Sequence, residues 1–206
     1  MRQGGFLRGV KKRGLIFVVS GPSGSGKSTL LDEILKDRKL ESLVSRSVSL
    51  TTRPKRSGES SGTHYFFITN AKFKKLLKAK KILEWTRYLG YYYGTPKDFF
   101  KKQRNKLRHV ALCLDYKGAL QVKKLYPVNT ITVFVMPPSL ELLATRIKKR
   151  CSKTKDDEIK KRLEMAKEEV SYCKKYDHCV VNKDLRQAVK KLKGIILEEI
   201  TQHQEA

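Results

Sequence analysis

Apolar residues along the chain occur in short unbroken runs, separated by stretches in which they recur every three or four positions. Leu15-Ile16-Phe17-Val18-Val19 has no polar interruption, as expected of a strand covered on both faces. Runs of this kind predict core strands over residues 15–20, 109–115, 130–136 and 179–182, with one more over 44–50. Helical spacing covers about 27–37, 96–106, 117–125, 139–149, 156–175 and 185–201. In the first of these, Leu30, Leu31, Ile34 and Leu35 share one side, and Asp32 and Glu33 lie outside it. Pro137-Pro138 ahead of Ser139 suits a turn from strand to helix. Strands alternating with helices predict an α/β fold, a doubly wound parallel sheet with helices on both faces.

The rhythm breaks between residues 49 and 95. A turn-rich basic stretch, Thr51-Thr52-Arg53-Pro54-Lys55-Arg56-Ser57-Gly58-Glu59, leads into aromatic strand-like segments around Tyr65-Phe66-Phe67 and over 82–93. Phe73, Leu76 and Leu77 predict a helix between them. This segment is expected to be an inserted, mostly β subdomain, placed where a second substrate would bind.

The chemistry is concentrated just after the first strand. Gly21-Pro22-Ser23-Gly24-Ser25-Gly26-Lys27-Ser28-Thr29 is a complete G-x-x-x-x-G-K-[ST] phosphate-binding loop. Its glycines let the backbone wrap so that successive N–H groups converge on anionic oxygens. Lys27 supplies a point charge for the outer phosphates, and the Ser28 hydroxyl is a Mg²⁺ ligand. A strand before the loop and a helix after it put phosphates at the positive end of a helix dipole.

Charge and cysteines add less. Forty-six Lys and Arg against twenty Asp and Glu give a formal net charge of +26. Such a field steers anionic nucleotides, accompanies nucleic-acid or membrane-surface association, or is a solvated surface. Nucleic acid is not favoured, because no aromatic-interleaved RNA-binding motif accompanies the scattered lysine pairs. No apolar stretch reaches membrane-spanning length. Residues 1–13 hold five basic and no acidic residues without an apolar centre, so a disordered basic tail is expected there instead of a secretory signal. Cys113, Cys151, Cys173 and Cys179 form no C-x-x-C pair and read as reduced cysteines of a cytoplasmic protein.

The phosphate loop is followed in order by Ser47-Val48-Ser49-Leu50-Thr51-Thr52-Arg53, Arg56-Ser57-Gly58-Glu59, Tyr65-Phe66-Phe67, Ile82-Leu83-Glu84-Trp85, Tyr92-Tyr93-Gly94-Thr95 and Val181-Asn182. On these motifs the chain resembles guanylate kinase over about residues 14–200. The resemblance implies a P-loop fold with a core over 14–48, 96–140 and 164–206, a GMP-binding insertion over 49–95 and a helical lid over 141–163. It implies that Arg53, Arg56, Tyr65 and Tyr93 hold the GMP phosphate, two guanidiniums and two phenols giving charge and directional donors. Glu84 would read guanine by accepting from its N1–H and 2-amino group, with Ser49 and Thr95 completing recognition. Asp115 would lie near the nucleotides and metal, Arg146, Arg150 and Arg162 would close over the ATP phosphates, and Asn182 would sit beside the adenine.

The chain departs from the family pattern at several positions. Cys113 stands where the first aspartate of an Asp-x-Asp pair is usual, and Ile82, Tyr91 and Lys55 replace a phenylalanine, an asparagine and a proline. The lid reads Lys149-Arg150-Cys151-Ser152-Lys153 where a glycine-flanked arginine is common. The expected activity is Mg²⁺-dependent phosphoryl transfer between ATP and GMP or dGMP, by a monomer or homodimer. The rivals are a kinase for another nucleoside monophosphate and a non-catalytic guanylate-kinase-like interaction module, against which the intact loop argues.

Overall fold

A computed structural model describes residues 13–106, 108–150 and 156–205. Residues 1–12 of the tail expected over 1–13, and the lid residues 151–155, lie outside these. At the centre is β1 (Ile16–Ser20), whose five residues are all buried. It pairs in parallel with β7 (His109–Cys113) on one side and β8 (Thr130–Met136) on the other. β2 (Val44–Arg46) joins β7, and β9 (His178–Val181) joins β8, giving a five-stranded parallel sheet in the order β2-β7-β1-β8-β9.

Strand alternation sends successive β1 side chains to opposite faces, and each face has its own helical cover. Phe17 and Val19 pack under α1 (Lys27–Ile34), α2 (Arg38–Leu43) and α8 (Leu185–Glu205), through Leu30, Leu31, Leu40, Leu192 and Ile196. Ile16 and Val18 face α4 (Lys97–Asn105) and α5 (Tyr116–Leu125), through Phe100, Ala119 and Val122. Truncating one of these fully buried leucines to alanine costs about 2–5 kcal/mol, a large share of a domain's stability. The entry to β1 is fixed by a long-range bond, in which the Leu15 N–H donates to Nδ1 of buried His109 at 3.0 Å. Burial holds His109 well down, to about 4, so the ring stays a neutral acceptor near neutral pH.

The insertion forms a second sheet in the order β4-β3-β6-β5, from β3 (Leu50–Thr51), β4 (Phe66–Phe67), β5 (Ile82–Tyr88) and β6 (Tyr91–Pro96). α3 (Asn70–Lys78) closes it by seating Phe73 between Leu50 and Ile82. The β5–β6 hairpin turns through Leu89 and Gly90, both at positive φ (48° and 83°), the two-residue geometry whose twist matches that of the strands. α6 (Leu140–Arg150) and α7 (Asp156–Ser171) pack as an arm through Leu143, Ile147, Ile159 and Ala166. A 3₁₀ turn, Tyr172–Lys175, returns the chain to β9.

Three expectations from sequence need correction. The strand over 44–50 is two: β2 belongs to the large sheet and β3 to the insertion, the chain passing from one to the other through residues 47–49. The helix over 27–37 ends at Ile34, and Asp37 caps a separate α2 by accepting from the Lys39 and Leu40 N–H groups. The helix over 156–175 becomes 3₁₀ after Ser171, which turns the chain in time to enter the edge strand.

Candidate active site

The phosphate loop runs from the C-terminal end of β1 to the first turn of α1, between the two central strand pairings of the sheet. That is where ligands bind in open α/β sheets. Gly26 caps α1 at φ 93°, and a Cβ there would lie 2.3 Å from Nδ2 of Asn182. Gly21 lies at φ 138°, with its Cα so near β8 that a Cβ would meet the Val135 carbonyl at 2.4 Å. Only glycine fits at either position. Lys27 donates from Nζ to the carbonyls of Gly21 (2.6 Å) and Pro22 (2.8 Å), which folds the ammonium over the loop. Ser28 Oγ lies 3.7 Å from Cys113 Sγ at the end of β7.

This loop forms one wall of a cavity of about 720 Å³, enough for ligands of nucleotide size. The same cavity takes Ser49, Arg53, Arg56, Tyr65, Glu84 and Tyr93 from the insertion, Asp115 from the end of β7, Arg146 and Arg162 from the arm, and Asn182 from the end of β9. Gly21 and Asn182, 161 positions apart in sequence, thus share one enclosure.

On the insertion side, Glu84 is 3 % exposed and its Oε1 accepts from Thr95 Oγ1 at 2.7 Å. Burial pushes its carboxyl up to about 7, against the bond from Thr95 and with Asp115 adding repulsion. α5 passes so close that a Cβ at Gly118 would stand 2.7 Å from Glu84 Oε2. Gly118 therefore makes the room in which this carboxylate sits. Asp115 caps α5, accepting from the Gly118 N–H at 2.8 Å, and its other oxygen accepts from Thr86 Oγ1 at 2.7 Å.

Arg53 is held from behind. Its Nη2 donates to both oxygens of Glu59 (2.8 and 2.9 Å), its Nη1 to the Pro54 carbonyl (2.7 Å), and the ion pair is buried. Burial opposes the ionisation of Glu59, but bonds from Arg53 and from the Arg56 N–H outweigh it and hold the carboxyl below its usual range. The guanidinium lies over the rings of Tyr65 and Phe67, at 5.6 and 5.7 Å, and Tyr65 meets Tyr93 edge-on at 5.9 Å.

Nearly every residue singled out from sequence comes to this cavity, with two qualifications. Thr95 is fully buried behind Glu84 and does not form part of the wall; its hydroxyl orients the Glu84 carboxylate. Asn182, expected beside an adenine, also lies on the wall, but its Nδ2 is committed to the Ser25 carbonyl at 2.8 Å, bracing the loop. Arg146 reinforces this by donating to the Asn182 carbonyl at 3.3 Å. Arg150 ends α6, and its side chain lies outside the described residues.

Sequence reasoning missed four contributors. Glu59, given no role of its own in the sequence, anchors Arg53, and Gly118 works through the space it leaves. Tyr88 lies on the wall with the Arg162 guanidinium over its ring at 5.9 Å. Glu169, two turns along α7 from Arg162 and so on the same side, also lines the cavity. Burial pushes its carboxyl up to about 7, with the charge of Lys27 opposing the shift and that of Asp115 adding to it.

Residues 13–199 match the family model for guanylate kinase. The chain belongs to the guanylate kinase family. Relatives of this family include the guanylate kinase of Caldanaerobacter subterraneus subsp. tengcongensis, 42 % identical over 190 residues, which are 92 % of this chain and 90 % of the relative. That of Rickettsia typhi is 40 % identical over 92 % of this chain and 93 % of its own. The crystal structure of guanylate kinase from Anaplasma phagocytophilum superposes with a TM-score of 0.76 at 29 % identity, covering 92 % of this chain and 88 % of that one. The guanylate kinase fold thus spans both sheets and the α6–α7 arm. Among the described residues, no helix is long and apolar enough to cross a membrane.

Proposed function

We propose that the chain transfers the γ-phosphoryl group of ATP to the phosphate of GMP, giving ADP and GDP, in the reversible reaction of a guanylate kinase. The observation that carries this reading is a single cavity with an intact phosphate loop on one wall and a buried, hydroxyl-oriented carboxylate beside a buried arginine on the other.

ATP occupies the loop side. The loop amides and Lys27 neutralise its outer phosphates, Arg146 and Arg162 approach from the arm, and the family resemblance gives Arg150 the same role. GMP occupies the insertion side. Arg53, Arg56, Tyr65 and Tyr93 hold its phosphate, Glu84 accepts from guanine N1–H and the 2-amino group, and Ser49 lies on the same wall. An oxygen of the GMP phosphate, already anionic near neutral pH, attacks the γ-phosphorus as the bond to the ADP oxygen breaks. No general base is required, and catalysis is alignment with charge stabilisation.

Mg²⁺ fits this donor set. No group of three or more acidic, histidine or cysteine side chains suited to a metal occurs among the described residues. A cation held by the Ser28 hydroxyl and the nucleotide's own phosphates matches the way Mg²⁺ binds, through few protein ligands and retained water. When bound, it would screen the phosphate oxygens during transfer. Closure of the arm and insertion would exclude the water that otherwise hydrolyses ATP. A cytoplasmic setting, where both nucleotides are available, suits this chemistry.

Purified protein is expected to form ADP from ATP only when GMP is added, and to stop when EDTA removes Mg²⁺. A coupled ADP assay reads this directly. ADP formation independent of GMP, or undiminished by EDTA, would overturn the reading.

A further inference from the structure

Away from the cavity, two thiols are in contact. Cys173, in the 3₁₀ turn after α7, and Cys179, on β9, place their sulfurs 2.6 Å apart. Strand alternation explains the direction of Cys179. Its neighbours Val180 and His178 face α8, Val180 in the core under that helix and His178 in contact with Glu199, so Cys179 points to the opposite side.

The turn is anchored to meet it. Tyr172 stacks on Tyr116 at 3.9 Å, the Tyr176 ring packs edge-on against Phe134 at 5.1 Å, and the Tyr176 N–H donates to the Cys173 carbonyl at 3.1 Å. Both thiols remain partly exposed, within reach of a small oxidant. Burial, together with the bond to Cys179, pushes the Cys173 thiol up to about 12. In this contact Cys173 donates and Cys179 accepts, so Cys179 is the sulfur placed to react first.

We propose that Cys173 and Cys179 are a redox modification site, closing to a reversible disulfide under hydroperoxide and slowing the enzyme when closed. The Cys179 thiolate attacks one peroxide oxygen, giving a sulfenic acid and, with a proton, water. The Cys173 thiol then attacks that sulfur, forming the S–S bond and releasing a second water. Two thiols and one peroxide thus give one disulfide and two waters. A dithiol reductant reverses the step by exchange.

The link to turnover is positional. Cys173 lies two residues beyond α7, which carries Arg162 and Glu169 into the cavity. Cys179 lies three residues before Asn182, which braces the phosphate loop and accepts from Arg146. A bridge fastens the base of the arm to the edge strand beside the loop, and so resists the arm movement that closure requires.

The test treats the reduced full-length enzyme with hydrogen peroxide, alkylates the remaining thiols and maps peptides by mass spectrometry with and without dithiothreitol. The expected result is a Cys173–Cys179 cross-link, a kcat lowered at least about fivefold as lid motion becomes limiting, and recovery with dithiothreitol. Cys173→Ser and Cys179→Ser enzymes are expected to keep their reduced turnover and lose the reversible response. Absence of the cross-link overturns the site. A cross-link with unchanged kcat overturns the coupling to turnover. Equal reversible loss in Cys173→Ser transfers the effect to another thiol, such as Cys113 beside Ser28, and overturns the proposal as well. The bridge is read by mass and the acceptor by turnover of the reduced enzyme, so failure of this proposal and failure of the GMP assignment are distinguishable.

Discussion

Lys27→Ala is expected to lower ADP formation with ATP and GMP by at least ~10³-fold, with the thermal midpoint little changed. Nζ spans the Gly21 and Pro22 carbonyls, poised at the mouth of the loop. Those two bonds are partly exposed and their loss costs only about 1 kcal/mol each, so the fold survives. The transition state loses far more. Charge on the transferring phosphoryl group spreads over its equatorial oxygens, and Lys27 is the loop's own cation on the donor side. The loop amides and the arm arginines remain to bind ATP, so the loss should fall mainly on kcat. Steady-state kinetics with a melting curve checks both parts. Activity retained in a folded variant would contradict the role given to Lys27.

Glu84→Gln is expected to lower kcat/KM for GMP by ~10³-fold and to erase most of the preference for GMP over AMP. Guanine presents two adjacent donors, N1–H and the 2-amino group, and a carboxylate presents two acceptors. Glutamine keeps one acceptor and turns the other into a donor, so one guanine donor loses its partner and meets a second donor. The side chain is held in one orientation, because Thr95 fixes Oε1 by its hydrogen bond.

Burial raises the Glu84 carboxyl to about 7, which fixes the sign of two further readouts. With the folded value above the unfolded one, stability from this group is present at low pH and is lost as pH rises through about 7. Glu84→Gln should therefore melt no lower than wild type at pH 8. Guanine binding needs the ionised form, so GMP affinity should weaken as pH falls below about 7 in wild type beyond the change seen in Glu84→Gln. Titration calorimetry of both proteins measures the difference, in which the ionisation of the GMP phosphate cancels.

Much of this architecture could be read from local pattern. β1 is apolar from Ile16 to Val19 and β8 from Val133 to Met136, and both strands fall where that pattern puts them. The phosphate loop is legible because each residue type has a local task. Failures came where distant or very short-range effects decide. β2 and β3 read as one strand because a two-sheet crossover leaves no mark in hydrophobicity. α2 is short and depends on the cap from Asp37, so its period is too brief to detect.

The site follows the same division. Arg53 and Glu84 could be named from motif order, but what makes them effective could not. Glu59 pairs with Arg53 across a six-residue loop, and nothing in the sequence separates it from a solvated glutamate. Gly118 lies 34 positions from Glu84 and contributes only the room a side chain would fill. The contact between Cys173 and Cys179 depends on where a 3₁₀ turn returns the chain to β9, which spacing does not specify.

The central claim is that one cavity joins an ATP site to an acceptor site that reads guanine. ADP formation measured across GMP, dGMP, AMP, CMP and UMP at equal concentration tests it most directly. Turnover is expected with GMP and dGMP, with rates lower by several orders of magnitude with AMP, CMP and UMP. Turnover of AMP or of a pyrimidine nucleotide matching that of GMP would contradict it.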